Sequence, residues 1–144
     1  MDATDRRILG LLERDARMTY GAVARKVGLA ASSVHDRVRK LEKRGVIRGY
    51  RADVDLVKAG FPITAFVSLE LRSSSPPNIP ASVAEFELVE SCYSVAGENS
   101  YVVVVRAPST VALEELLDAL RAKLDVVTKS TIVLSTPFER RPID

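Results

Sequence analysis

The sequence predicts an α+β chain, with three helices at the N-terminal end and a β-α-β-β-α-β half behind them. Three observations carry that prediction. Apolar residues recur at helical spacing up to Leu41 and at strand spacing from Ile63 onward. Glycine and proline punctuate the change of period at Lys58-Ala59-Gly60-Phe61-Pro62. Charge divides at the same place: residues 1–60 hold 14 Lys/Arg against 8 Asp/Glu, net +6, whereas residues 61–144 hold 7 against 11, net −4.

The first helix carries Ile8, Leu11 and Leu12, with Asp2 or Thr4 available as N-cap and Asp5 in the first turn; it should end near Asp15-Ala16-Arg17. A second apolar set, Tyr20, Val23, Ala24 and Val27, closes at Gly28, a residue suited to the left-handed position after a helix. Leu29 then drops into the turn. The third helix starts around Ala31-Ser32, places Val34, Val38 and Leu41 on one stripe, and ends at Gly45. Two short helices joined through a glycine turn to a longer one describe a helix-turn-helix. Val46 to Val54 reads as a strand or wing. The expected organisation is therefore a winged helix-turn-helix over 1–50, a linker strand and joint over 51–62, and a second domain over 63–144.

In that second domain Ile63, Ala65, Val67, Leu69 and Leu71 alternate with more polar partners, a strand with one buried face. Ser73-Ser74-Ser75-Pro76-Pro77-Asn78 reads as a loop. Ile79, Val83 and Phe86 suggest a helix with Pro80 in its first turn. Ser91 to Ala96 reads as a strand, Gly97 to Ser100 as a turn, and Tyr101 to Val105 as a buried strand. Leu113, Leu116, Leu117, Leu120 and Leu124 line one side of the clearest helix, and Thr131-Ile132-Val133-Leu134 is the expected last strand. This order is the ferredoxin-like unit. Its two helices cover one sheet face, and the mixed apolar and Ser/Thr content of the strands predicts that the bare face pairs with a second copy.

Composition narrows the function. Hydrophobic residues at 47% and charged residues at 28% are ordinary globular material. No apolar run approaches the roughly 18 to 20 residues that span a bilayer. Met1 to Arg7 lacks the layout of a secretion signal, and Cys92 is the only cysteine, so no intrachain disulfide is possible. A cytoplasmic protein with no membrane partner is expected. Residues 20–51 concentrate 9 basic against 2 acidic groups, which points to a partner rich in phosphate, a nucleic acid, and the helix-turn-helix makes double-stranded DNA the expected one.

With Val34, Val38 and Leu41 turned inward, a rotation of roughly 100° per residue puts Ser32, Asp36, Arg39 and Lys43 on the opposite face, flanked by Ser33, His35 and Lys40. A helix in the major groove needs short polar groups near its start and basic groups reaching bases or phosphates behind them. Ser32, Ser33 and His35 suit base edges; Arg39, Lys40 and Lys43 suit bases or backbone. Asp36 fits only by accepting from a cytosine amino group or by pairing with a neighbouring arginine.

Several motifs together resemble the Lrp/AsnC, or feast/famine, regulators. They are Asp5-Arg6-Arg7-Ile8-Leu9, Leu12 to Arg17, Ala24 to Leu29, Arg37 to Glu42, Gly45 to Tyr50, the Gly97-to-Tyr101 turn and the Thr131-to-Leu134 strand. The resemblance spans nearly the whole chain in order. It implies a helix-turn-helix joined to a βαββαβ effector domain, homodimers assembling to tetramers, octamers or higher rings, and control of genes tied to amino acids. It also implies a small-molecule effector, usually an amino acid, near Gly97, Glu98, Asn99, Ser100 and Tyr101. That turn often carries an acidic residue in the family where this chain has Ser100, which offers a neutral hydrogen bond instead of a partner for an ammonium; Glu98 is the alternative source of charge. Ala30 stands where the family usually has a serine capping the recognition helix, a loss of about 1 kcal/mol unless Ser32 or Ser33 substitutes.

The remaining candidates are bland. His35 is the sole histidine, so no multi-histidine metal site can form, and it is a DNA contact or a polar surface group. Cys92 reads as a small core residue, Tyr101 as core or interface, and Gly97 as a turn residue. No phosphate-binding glycine loop, metal-ligand spacing or nucleophile elbow is present, so neither cofactor nor metal nor enzymatic activity is expected. The reading is a sequence-specific transcriptional regulator answering to an effector. The alternatives are an architectural protein that binds DNA without a ligand, and a winged-helix adaptor for proteins.

Overall fold

The structure is a computed structural model that describes residues 1–72, 78–139, 141 and 142. The loop expected over Ser73–Asn78 lies outside the described residues except for Asn78. The chain forms two compact units, one of Met1–Asp53 with Pro137–Asp144, the other of Val54–Thr136.

The first unit contains α1 (Ala3–Arg14), α2 (Tyr20–Val27) and α3 (Ala31–Lys43). Asp2 caps α1 in a capping box: its side chain accepts from the Asp5 amide, and the Asp5 side chain accepts from the Asp2 amide. Thr19 caps α2 by accepting from the Ala22 amide. Gly28 ends α2 at φ 73°, a conformation a β-carbon disfavours, and the Gly28 and Leu29 amides both donate to the Ala24 carbonyl, at 2.9 and 3.0 Å. Ile8, Leu12, Val23, Ala24, Val34 and Val38 form the core, and Leu11, Met18, Leu29 and Ile47 pack against it.

The expected strand or wing over Val46–Val54 is not a strand. The Val46 and Ile47 amides return to the Leu41 carbonyl, at 2.9 and 3.3 Å, so the β-branched pair closes the end of α3 instead of entering a ladder. Tyr50 is tied back as well, its hydroxyl donating to Glu42 Oε1 at 2.7 Å.

The second unit opens with a turn in which the Phe61 amide donates to the Leu56 carbonyl at 2.8 Å. It then runs β1 (Ile63–Leu71), α4 (Ile79–Val83), β2 (Val89–Ser94), β3 (Tyr101–Ala107), α5 (Thr110–Leu124) and β4 (Val126–Ile132). The sheet order is β2-β3-β1-β4, every neighbour antiparallel, which is the ferredoxin-like arrangement. Ala65, Val67 and Leu69 of β1 and Val103, Val105 and Ala107 of β3 face the helices and pack with Ile79, Val83, Leu113, Leu116, Leu120 and Leu124. Each fully buried leucine or valine contributes roughly 1.5–3 kcal/mol.

Several boundaries differ from the sequence expectation, and three of them have a clear cause. The last strand begins at Val126 rather than Thr131, because Asp125 takes a left-handed turn (φ 48°) directly after α5 and the chain enters the sheet at once, Val126 opposite Leu71. Polar Thr128-Lys129-Ser130 hides that start from a reading by hydrophobicity. β2 begins two residues early, at Val89, whose side chain joins the core. Phe86 lies beyond the short α4 and packs on the core from a turn.

Candidate DNA interface and effector turn

Helix α3 is amphipathic in the way its spacing requires: Val34 and Val38 are fully buried and Leu41 nearly so, while Ser32, Ser33, His35, Asp36, Arg39, Lys40 and Lys43 are all exposed. The seven candidate DNA contacts thus share the outward side of one helix. His35 is the least free of them, its ring edge-on to Tyr20 of α2 at 5.5 Å and its Nδ1 3.6 Å from Asp36 Oδ1. Asp36 therefore has histidine as its described partner, not the neighbouring Arg37. At the start of the helix Ala30 has the extended backbone of a cap but gives no side-chain hydrogen bond, and neither Ser32 nor Ser33 replaces it.

Arg37 is the residue sequence reasoning missed. It sits beside the buried stripe and reaches α1, its Nη1 2.7 Å from both Asp2 Oδ2 and Asp5 Oδ1. Asp2 and Asp5 both lie below the ordinary aspartate value of 3.8, each held there first by the other's backbone amide and further by Arg37. The signal was present in the Asp2/Asp5 spacing, but nothing local says which arginine those carboxylates meet.

In the second unit the β2–β3 turn is anchored at its far end. The Val95 amide donates to the Ser100 carbonyl at 3.1 Å, and the Ser100 amide donates to the Leu69 carbonyl at 3.2 Å. Gly97 has φ 156°, a value other residues rarely adopt; Gly97 and Glu98 are exposed at the tip, with Asn99 and Ser100 half-buried behind them. Tyr101 packs against the domain core. Cys92 does the same, and burial pushes its thiol up, away from thiolate reactivity.

The sheet face away from the helices carries Phe66, Tyr93, Val102 and Val104. A second feature the sequence did not reveal lies beside them. A register shift between Val89 and Ser91 makes Glu90 the extra residue of a bulge, and its carboxylate pairs with Arg106, whose Nη1 also donates to Thr64 Oγ1 at 2.5 Å. Among the described residues no group of three or more His, Cys, Asp or Glu is placed to hold a metal ion, and no helix is long and apolar enough to cross a membrane.

A helix-turn-helix with a polar outward helix, followed by an open-faced βαββαβ unit, defines a DNA-binding regulator with a separate ligand domain. Residues 1–48 match the winged helix-turn-helix DNA-binding family, and residues 64–143 match the Lrp/AsnC ligand binding domain. The chain is 44% identical over 142 residues to the HTH-type transcriptional regulator LrpA of Mycobacterium tuberculosis, covering 98% of this chain and 95% of that one. It is 38% identical over 138 residues to the regulator AldR of the same organism, covering 93% and 77%. Among solved structures it is similar to the feast or famine regulatory protein of M. tuberculosis complexed with L-methionine, with TM-score 0.92, 44% identity and coverage of 97% and 96%. The chain belongs to the Lrp/AsnC family of transcriptional regulators. It is a DNA-binding regulator of transcription, and the family is not one of enzymes.

Proposed function

We propose that this regulator answers to an amino acid bound near the β2–β3 turn, through Gly97, Glu98, Asn99, Ser100 and Tyr101, and reads DNA with Ser32, Ser33, His35, Asp36, Arg39, Lys40 and Lys43. The observation that carries the effector reading is the likeness, at 44% identity, to a regulator whose solved structure holds L-methionine. The chemistry of the turn agrees with it. Gly97 presents backbone without a side chain, and Glu98 is an exposed carboxylate able to pair with an ammonium, while Ser100 can supply a neutral hydrogen bond.

In this reading the open sheet face, with Phe66 and Tyr93 exposed, is covered by a second copy, and dimers assemble further to tetramers or octamers in the cytoplasm. The effector shifts the packing between dimers, and that changes how several DNA-binding heads engage spaced half-sites. A thermal-shift screen of the twenty amino acids on the purified protein tests the effector. Ligand at 100 times its Kd stabilises by about 2.7 kcal/mol, so a reproducible rise with one chemical class supports the reading. No rise with any amino acid overturns it and favours a ligand-independent architectural role.

A further inference from the structure

Each carboxylate of the α1 capping box divides its two oxygens. Asp2 Oδ1 accepts from the Asp5 amide at 2.8 Å and Asp5 Oδ2 accepts from the Asp2 amide at 3.0 Å. The second oxygen of each, Asp2 Oδ2 and Asp5 Oδ1, accepts from Arg37 Nη1. The start of α1 and the middle of α3 are therefore joined by one charge-assisted cluster, with Asp5 13% exposed and Arg37 34% exposed.

We propose that Arg37 is a positioning residue for DNA recognition, setting the pitch of α3 against α1 without touching DNA itself. The proposal rests on α3 being the DNA-reading helix. Three observations support it. Arg37 lies beside the buried stripe of Val34 and Val38, whereas Arg39, Lys40 and Lys43 are exposed. Its charge is already met by two carboxylates, and a swing toward phosphate strands both of them next to DNA. The start of α3 at Ala30 has no side-chain cap, so a restraint made further along the helix has more to do. Base contacts need their side chains held within roughly 0.5 Å and 10–20°. Val34, Val38 and Leu41 pack α3 through apolar contacts, which fix no angle by themselves; an arginine bridged to two carboxylates at the start of another helix adds a directional restraint.

The proposal makes a prediction whose sign opposes simple electrostatics. Replacing a carboxylate near DNA ordinarily strengthens binding by relieving repulsion. Asp5→Asn keeps an acceptor for the Asp2 amide but loses the ion pair, and it is expected to weaken recognition. The experiment uses the full chain and two duplexes: the strongest binder selected from random-sequence DNA by the unchanged protein, and a scrambled duplex of the same composition. Affinity is measured over a range of salt for the parent, Asp5→Asn, Arg37→Met, the double variant and Lys43→Met, each shown folded at the assay temperature by thermal melting.

The expected result is a loss of about tenfold on the selected duplex for Asp5→Asn and for Arg37→Met, the scale of one misplaced bidentate base contact. The double variant should be no worse than either single change. On the scrambled duplex the salt slope should stay at the parent's value for both, while Lys43→Met lowers it by about 1. Stronger binding by Asp5→Asn on both duplexes overturns the proposal. So does an equal loss on both duplexes by Arg37→Met with a slope lower by about 1, the signature of a phosphate contact. Selection that recovers no preferred duplex with the parent overturns the sequence-reading role of α3, and the proposal with it.

Discussion

Arg37 Nη1 lies 2.7 Å from Asp5 Oδ1, and the other oxygen of that carboxylate accepts from the Asp2 amide at 3.0 Å. One side chain thus serves the start of α1 and the middle of α3 together. This arrangement makes the first unit acid-sensitive in a defined direction. Asp2 and Asp5 are held below 3.8, chiefly by each other's amides and further by Arg37. A carboxyl depressed on folding stabilises fully above its unfolded value and loses that contribution as pH falls through its folded value. The parent's melting temperature should therefore fall more steeply below about pH 4 than that of an Asp5→Asn, Arg37→Met variant. Equal slopes for the two proteins refute the linkage.

Arg39→Ala and Lys43→Ala should each weaken DNA binding while leaving the oligomer intact, since both side chains are exposed and point away from Val34 and Val38. Each should lower the slope of log affinity against log salt by about 1 if it meets phosphate. Sedimentation beside a salt titration separates the two effects. A dissociated oligomer with unchanged DNA affinity overturns the assignment of the outward face.

Ala30→Ser should stabilise the first unit by about 1 kcal/mol, because Ala30 already has the backbone of a cap (φ −72°, ψ 149°) and lacks only the acceptor. Chemical denaturation of the two proteins measures the difference. A stability unchanged or lowered by the substitution means that the start of α3 is satisfied in another way.

Leu120→Ala should destabilise the second unit by about 2–5 kcal/mol, since Leu120 is fully buried between α5 and the sheet. A loss well under 1 kcal/mol in denaturant melts means that the neighbouring side chains collapse into the space.

Ser100→Asp should strengthen the response to amino acids if the β2–β3 turn is the pocket, by offering a carboxylate to the ligand's ammonium. The Ser100 amide remains free to donate to the Leu69 carbonyl, so the turn itself should persist. An unchanged thermal response across the amino-acid screen places the effector elsewhere.

Local pattern carried much of this protein. Valine and leucine spacing specified α3 and α5, Gly28 specified the turn between α2 and α3, and strand alternation specified the buried face of β1. These features depend on residues a few positions apart, where helix and strand periods act directly on the chain. The strand expected after Gly45 failed for a reason of the same kind on a longer scale. Val46 and Ile47 have strand-forming side chains, but their amides are taken by Leu41 at the end of α3.

The β2–β3 turn and the outward residues of α3 were legible because a helix or hairpin presents them whatever surrounds it. Arg37 was not. Its partners lie 35 and 32 residues away, and several other arginines in residues 1–60 offer the same charge to Asp2 and Asp5. Glu90 likewise meets Arg106 across the β2–β3 pair, beside the register shift between Val89 and Ser91. Sequence determined most of the elements that form and which of their faces are apolar, since hydrophobic burial follows composition and period and needs no particular neighbour. Only the tertiary structure decided the long-range ion pairs, because such a pair depends on distances of a few ångströms set by how helices cross and strands register.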